Sequence, residues 1–256
     1  MAIDRTRRQK NKALKAVMKR ITTVLFISIL IVASMYAYGY VTTSESFNIH
    51  EVEFKGMTRV DASEIEDLLA DLKGQNILLV TLDSYEERIK MHPRIERVAI
   101  SRVLPDKVTC SVVEREPVAL IFTDQFLEVD RHGMVMADDE YTAILDLPII
   151  TGLPKSAVEI GKINNNIMLH NALRALALCK SFGGDFAEDI SELRVSSGGV
   201  NIRSLEKDCV LVLGNADYPN RLKKYFLLKD TLAEKEPDAG IIDLRFDDQV
   251  VLRSRM

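Results

Sequence analysis

Residues 21–41 read ITTVLFISILIVASMYAYGYV, a stretch without a single charged side chain. As an α-helix it would extend about 31 Å, which matches the thickness of the hydrocarbon core of a bilayer. Tyr36, Tyr38 and Tyr40 lie near its C-terminal end, where aromatic rings favour the membrane–water interface. The stretch therefore predicts a transmembrane helix.

The charges on the two sides of this stretch differ in sign. Residues 1–20 carry eight lysines and arginines and one aspartate, which gives them a net charge of +7. The whole chain has a net charge of −4, so residues 42–256 carry −11. Because lysine and arginine are retained on the cytoplasmic side, we expect a basic cytoplasmic tail and an exported acidic body. The tail could also meet anionic lipid or nucleic acid, but topology alone explains its charge.

A cleaved signal peptide is the alternative interpretation of the apolar stretch. Its apolar region would span about 7 to 15 residues and end at small residues before the cleavage site. Here the run is longer, and the bulky side chains of Met35, Tyr36 and Tyr38 occupy the positions where small ones are needed. The sequence therefore favours an uncleaved anchor at residues 21–41.

The first part of the exported body, residues 46–115, shows a β-α-α-β-β pattern. Each predicted helix starts with an aspartate followed three residues later by a glutamate, which resembles a capping box. These pairs are Asp61 with Glu64 and Asp83 with Glu86. Alternation of apolar and polar residues predicts strands at 47–54, 95–103 and 108–112, with a tight turn at 104–106.

The remainder, residues 117–256, is predicted to be a β-rich second domain with two helices. The helices are expected at about 166–181 and from Pro219 to Pro237. Strands are predicted at 118–122, 126–130, 134–137, 147–151, 190–195, 200–203, 209–213, 241–246 and 250–252, with a hairpin turn at 197–199. The predicted fold class is therefore α+β: one transmembrane helix followed by two domains.

No group of residues in the sequence predicts an active site, a cofactor site or a metal site. His50, His92, His132 and His170 have no neighbouring cysteine or histidine at the spacing of metal ligands. Nucleophile-elbow and phosphate-loop motifs are missing. Residues 138–140 (DDE) could bind Ca²⁺, but a solvated acidic loop is the simpler interpretation. We therefore expect a protein that is not an enzyme and that works by binding partners.

The three cysteines, Cys110, Cys179 and Cys209, are far apart in the sequence. An oxidising compartment would often pair cysteines, and an odd number leaves one unpaired. Cys110 alternates with two valines, which predicts that it points into a core. Small buried apolar side chains are the favoured interpretation, and the redox state stays open.

The C-terminal segment, residues 241–253, is predicted to form an exposed or half-exposed sheet edge. Its alternation puts Ile242, Leu244 and Phe246 on one face, and Asp243 and Arg245 on the other. Unpaired N–H and C=O groups at such an edge accept a strand from another chain. The alternative is an ordinary core strand on which Arg245 is merely solvated.

Seven short motifs in chain order resemble the bacterial cell-division family FtsQ, called DivIB in Gram-positive organisms. They are FNIHEVEFKG at 47–56, HPRI at 92–95, LPDKV at 104–108, VEREPVA at 113–119, EVDRHG at 128–133, LPIITG at 147–152 and IDLRF at 242–246. Each motif is weak alone, but their common order is more specific. One departure is Phe246, where the family often has tyrosine.

The resemblance implies a POTRA-like domain at 46–115 and an FtsQ/DivIB-type domain at 117–256. It implies a non-enzymatic division scaffold in the cell inner membrane at the septum. Its partners would be coiled-coil division proteins of the FtsB/FtsL type (DivIC/FtsL), and it would help to recruit or regulate septal peptidoglycan synthesis. The POTRA-like domain would contribute to localisation and to contacts with other divisome proteins.

The same resemblance implies where these partners bind. Arg245 would meet an acidic residue of the FtsB-like protein, and Phe246 would give apolar contact. The full set of expected partner-binding residues is Arg245, Phe246, Asp248, Val250, Leu252 and Glu114. Two other functions stay open from the sequence: another POTRA-bearing component of secretion or envelope assembly, and an anchored envelope hydrolase.

Overall fold

The computed structural model describes residues 2–236 and 238–254. They fall into two compact units, residues 1–89 with 98–112 and residues 90–97 with 113–256. The architecture is α+β, with one apolar helix, a small β-α-α-β-β domain and a β-rich domain, so the predicted fold class is confirmed.

The chain begins with one long helix, α1 (Ala2–Thr43). Its part Val17–Thr43 is long and apolar enough to cross a membrane, and none of it is buried inside the protein. Hydroxyl groups within this part bond to the helix itself: Thr23 Oγ1 donates to the Lys19 carbonyl at 2.8 Å, and Ser28 Oγ to the Val24 carbonyl at 2.9 Å. These bonds leave the side of the helix compatible with lipid, where unsatisfied polar groups are costly.

A three-stranded sheet and two short helices follow α1 in the predicted order. They are β1 (Glu51–Lys55), α2 (Ala62–Leu68), α3 (Asp83–Lys90), β2 (Ile95–Val103) and β3 (Lys107–Glu114). The strand order is β1-β3-β2, and β1 runs parallel to β3 with Glu51 opposite Lys107. The first strand begins later than predicted, because Glu45–Phe47 forms a 3-10 turn capped by the side chain of Ser44.

The two predicted helix caps have different outcomes. Asp61 caps α2, since its carboxylate accepts the Ser63 N–H at 2.9 Å, as predicted. The capping-box interpretation of α3 is wrong: Asp83 already lies inside the helix, and Glu86 accepts the N–H of Ile100 at 2.7 Å. Ile100 lies on β2, the outermost strand of the order β1-β3-β2, so the Glu86 carboxylate supplies an acceptor for an amide of that strand.

The second unit contains a nine-stranded mixed sheet. Its strands are β4 (Pro117–Phe122), β5 (Phe126–Asp130), β6 (Val135–Ala137), β7 (Ile149–Thr151), β8 (Ile190–Ser196), β9 (Gly199–Ser204), β10 (Cys209–Gly214), β11 (Ala239–Asp243) and β12 (Val251–Ser254). The order across the sheet is β12-β11-β10-β9-β8-β7-β4-β5-β6. Its helices are α4 (Ile167–Phe182), α5 (Gly184–Glu188) and α6 (Tyr218–Lys235). α4 and α6 correspond to the two predicted helices, and the short α5 was not predicted.

Helices α4 and α6 pack against the sheet and enclose the main core of this unit. α4 begins where predicted, and the Asn166 side chain caps it by accepting the N–H groups of Met168 and Leu169. Side chains from both helices and from the strands are buried together, among them Leu169, Leu176, Leu222, Tyr225, Leu193, Ile202 and Leu211. Because β10 and β11 are parallel, the chain must cross between them, and α6 forms this crossover.

The predicted hairpin turn between β8 and β9 depends on one of its two glycines. Gly199 has a φ of +108°, and a Cβ added there would lie 1.9 Å from the carbonyl carbon of Gly214. Gly198 has space, since an added Cβ would meet only the Ser196 hydroxyl oxygen at 3.4 Å. The close approach of β9 to the end of β10 therefore requires glycine at position 199 alone.

We expect Gly199→Ala to destabilise the protein by about 2 kcal/mol or more, because both backbone strain and a clash with backbone result. Gly198→Ala is the matched control and should change the free energy of unfolding by less than about 0.5 kcal/mol. Denaturant unfolding of the two variants tests this difference. Equal stability of the two variants would contradict the geometry at Gly199.

Candidate functional site

The last strand of the chain, β12, lies at one edge of the nine-stranded sheet. It pairs antiparallel with β11, with Leu252 opposite Ile242 and Val251 opposite Asp243. Within residues 2–236 and 238–254, no strand pairs with its other side. Alternate backbone N–H and C=O groups of β12 therefore face away from the sheet, where a strand of another chain can pair with them. The last two predicted strands thus pair as a hairpin, with β12 on its outer side.

The strand before it ends earlier than the sequence pattern predicts. β11 stops at Asp243, so Arg245 and Phe246 lie in the loop that leads to β12. The Asp243 carboxylate accepts the backbone N–H of Arg245 at 3.1 Å, which turns the chain out of the strand. The interpretation of 241–246 as one alternating strand is therefore wrong beyond Asp243.

The same carboxylate holds the side chain of Arg245. Arg245 Nε donates to Oδ1 of Asp243 at 2.9 Å, and a second guanidinium nitrogen donates to Oδ2 at 2.6 Å. Asp243 is buried and Arg245 is half exposed. Hydrogen bonding to the Arg245 side chain lowers the pKa of the Asp243 carboxyl. The guanidinium is thus a fixed charge at the surface, which a two-pronged contact orients more firmly than a solvated side chain.

Two side chains of helix α6 hold the backbone of the loop between β11 and β12. Arg221 donates to the Leu213 carbonyl and, at 3.3 Å, to the Arg245 carbonyl, while Lys224 donates to the Phe246 carbonyl. A Cβ added to Gly214 would lie 3.1 Å from Cγ of Arg245, so glycine there leaves room for the arginine stem. The backbone of the loop is therefore anchored at the two residues that the sequence singled out.

The remaining predicted residues divide into two groups. Phe246 and Asp248 are exposed, whereas Val250 and Leu252 are partly buried and pack against the core. Since side chains alternate along a strand, Val251 and Arg253 of β12 lie on the face opposite Leu252. The sequence alone did not indicate Arg253 or the support from Arg221, because both depend on contacts between separate segments. Asp243 lies only two residues from Arg245, and its role was missed because the strand was predicted to continue past it.

Glu114 is not brought to this edge. It is the last residue of β3, three positions before β4 begins at Pro117. In the sheet, β4 is six strands away from β12, which corresponds to about 29 Å at the usual strand spacing. A partner that contacted both Glu114 and Arg245 would have to extend across the sheet.

The cysteines lie where the sequence predicted. Cys110, Cys179 and Cys209 are all buried and none is in a disulfide. Burial raises the pKa of the Cys110 thiol to about 11 and that of the Cys179 thiol to about 12. Thiols with such values stay protonated at neutral pH and are weak nucleophiles. The interpretation of the three cysteines as small buried side chains is confirmed.

A buried charge cluster lies around Glu128 of β5. The carboxylate is fully buried, and it accepts from Arg94 Nη1 at 2.8 Å and from the Thr142 hydroxyl at 2.6 Å. Arg94 also forms an ion pair with Asp139 at 3.0 Å, so the acidic loop predicted at 138–140 is not simply solvated. Such satisfied pairs are typical of structural networks. Among the residues described, no group of three His, Cys, Asp or Glu side chains is arranged to hold a metal ion.

We expect Asp243→Asn to lower the unfolding temperature by about 2 °C near neutral pH, since a half-exposed pair is partly screened. The pKa of Asp243 is lowered in the folded state, so its stabilising effect is present at neutral pH and is lost as the pH falls through that value. The difference between parent and variant should therefore close in acid. Asp247→Asn, an exposed aspartate in the same loop, is the control, and thermal unfolding over a pH series is the measurement. A difference that stays constant with pH would contradict the assignment.

Comparison with known proteins gives two adjacent domain matches. The model "POTRA domain, FtsQ-type" matches residues 47–115, and the model "Cell division protein FtsQ/DivIB, C-terminal" matches residues 119–245. The chain is similar to the cell division protein FtsQ of Geotalea daltonii, 24% identical over 241 residues, which cover 94% of this chain and 88% of that protein. It is also similar to FtsQ of Myxococcus fulvus, 27% identical over 202 residues, covering 79% and 71% of the two chains.

Proposed function

Because the chain belongs to the FtsQ/DivIB family of cell-division proteins, we propose that it is a non-catalytic scaffold that recruits other division proteins through β12. The observation that carries this proposal is the outer edge of β12, which no strand of the described residues covers, beside a loop that presents Arg245 and Phe246. Strand addition obtains affinity from main-chain hydrogen bonds and specificity from flanking side chains.

The chemistry of the edge indicates what it binds. Arg245 and Arg253 are exposed on the last hairpin, so an extended segment with an acidic residue near Arg245 is complementary in charge. Phe246 offers an exposed aromatic ring for apolar contact. We propose that the segment comes from a coiled-coil partner of the FtsB/FtsL type (DivIC/FtsL), with Asp248, Val250 and Leu252 setting the path of the loop and strand.

The proposal places these contacts in the cell envelope. The basic residues 1–20 would lie in the cytoplasm, the uncharged part of α1 at residues 21–41 would cross the inner membrane, and residues 44–256 would be exported. At the septum the scaffold would recruit or regulate septal peptidoglycan synthesis. The POTRA domain would contribute contacts with other divisome proteins, and Glu114 would contribute to binding from the far side of the sheet.

We expect Phe246→Ala to weaken binding of the exported segment of the FtsB-type partner by about tenfold, since aromatic residues dominate interfaces of this kind. Calorimetric titration of the full-length protein in lipid nanodiscs measures it. Phe122→Ala is a matched control, because Phe122 of β4 and Phe246 are both 43% exposed. Phe122→Ala should bind like the parent. If Phe246→Ala, folded, also binds like the parent, the edge-strand site is wrong.

We expect Arg245→Gln to weaken the same binding by about fivefold or less, as for a charge at the rim of an interface. Glutamine removes the charge without placing a second carboxylate beside Asp243, which Arg245→Glu would do. The weakening should shrink as the salt concentration rises, because screening reduces the parent's advantage. An effect independent of salt would show that Arg245 acts by shaping the loop and not by its charge.

Reporter fusions test the proposed orientation of the chain in the membrane. A reporter that is active only outside the cytoplasm, joined by a linker after residue 256, should be active, because the +7 segment holds the N-terminus inside. The same reporter joined before residue 1 serves as the control and should be inactive. Activity of the N-terminal fusion alone would reverse the proposed orientation.

A further inference from the structure

The loop between α2 and α3 is attached directly to the end of the apolar helix α1. Asn76 Nδ2 donates to the carbonyl of Val41 at 2.9 Å and to that of Thr42 at 3.3 Å, both in the last turn of α1. The Oδ1 atom of the same side chain accepts the N–H of Leu78 at 3.0 Å. One asparagine therefore holds the loop at the level where the apolar helix ends.

Backbone contacts make this attachment rigid and turn two leucines outward. The Ile77 N–H donates to the Phe47 carbonyl at 2.8 Å, and the Ile77 side chain is fully buried. The next two side chains, Leu78 and Leu79, are exposed by 42% and 57%. Their exposure is thus a consequence of a fixed loop whose preceding residue is in the core.

The β2–β3 turn lies at the same end of the domain. Because β1 and β3 are parallel, the start of β3 lies beside the start of β1, the end of that strand nearest to α1. The Arg102 side chain joins the turn to the loop by donating to the carbonyls of Ile77 at 2.7 Å and Val80 at 2.6 Å. Val103 and Leu104 follow it and are exposed by 46% and 59%.

We propose that Leu78, Leu79, Val103 and Leu104, here called the juxtamembrane cluster, insert into the headgroup region of the bilayer that α1 crosses. The inference rests on the proposed membrane anchoring of α1. Exposed apolar patches mark interaction sites, and this one is continuous with the membrane segment through the bonds of Asn76. The tyrosines at the end of α1 mark the same depth as an interface. Lipid is therefore the surface that lies within reach of all four side chains.

The consequence is a second attachment of the POTRA domain to the membrane. A single helix alone leaves the domain free to tilt about the helix end, whereas a helix and an apolar cluster together define its height above the bilayer. Interfacial apolar side chains reach about 5–10 Å into the boundary between headgroups and acyl chains. That depth suits side chains carried on a loop and a turn.

The chain contains no tryptophan, so a single introduced one reports on its own surroundings. We expect the fluorescence of Leu79→Trp, in full-length protein in nanodiscs, to fall about twofold when the lipids carry bromine in the upper part of their acyl chains, because the ring then sits in the interface. Val113→Trp is the control. Val113 is 42% exposed, like Leu78, but lies about 20 Å along β3 from the turn. Its fluorescence should not change.

Phe26→Trp, in the middle of the apolar part of α1, separates this proposal from the membrane anchoring on which it depends. Quenching of Phe26→Trp without quenching of Leu79→Trp overturns the juxtamembrane cluster and leaves the anchor intact; a protein partner would then be the better occupant. Absence of quenching in both overturns the anchor and the cluster together. Equal quenching of Val113→Trp also overturns the proposal. Leu104→Trp must repeat the result of Leu79→Trp, which guards against a local disturbance of the loop.

Discussion

The packing of α4 and α6 against the nine-stranded sheet is the constraint on which the C-terminal domain depends. Tyr225 and Leu222 of α6 are buried with Leu211 of β10 and Ile242 of β11 in one core. To bury this face, the chain must leave β10, cross the sheet as α6 and return parallel to β10 as β11. β12 then pairs antiparallel with β11 and is the outermost strand of the sheet among the residues that the structure describes.

The same helix also shapes the proposed site. Arg221 and Lys224 of α6 bond to the carbonyls of Arg245 and Phe246, and Asp243 fixes the guanidinium of Arg245. A binding surface is more effective when its side chains are already ordered, because less conformational entropy is lost on association. The edge strand thus combines an open backbone with an arginine and a phenylalanine whose loop is held in place.

The short connection between α1 and β1 imposes the corresponding constraint on the N-terminal unit. Residues 44–50 leave little chain between the end of α1 and β1, so the start of β1 and the turn before β3 lie close to the helix end. There the side chains of Asn76 and Arg102 donate hydrogen bonds to backbone carbonyls. The side chains of the juxtamembrane cluster are exposed at the same end. Polar bonds that order the loop and apolar side chains that face outward are two results of one arrangement.

Much of the architecture follows from local signals in the sequence. The apolar span, the β-α-α-β-β order, the cap at Asp61, the start of α4 at Asn166 and the hairpin at 197–199 depend on residues close together in the chain, where periodicity and turn chemistry are informative. The motif IDLRF indicated Arg245 and Phe246 through family resemblance alone. Tertiary structure decided the order of the nine strands, the bond that the Ile100 N–H donates to Glu86 and the distance of Glu114 from β12. Each of these depends on pairing between segments far apart in sequence, and the pattern within a strand records which face is buried but not which strand lies beside it.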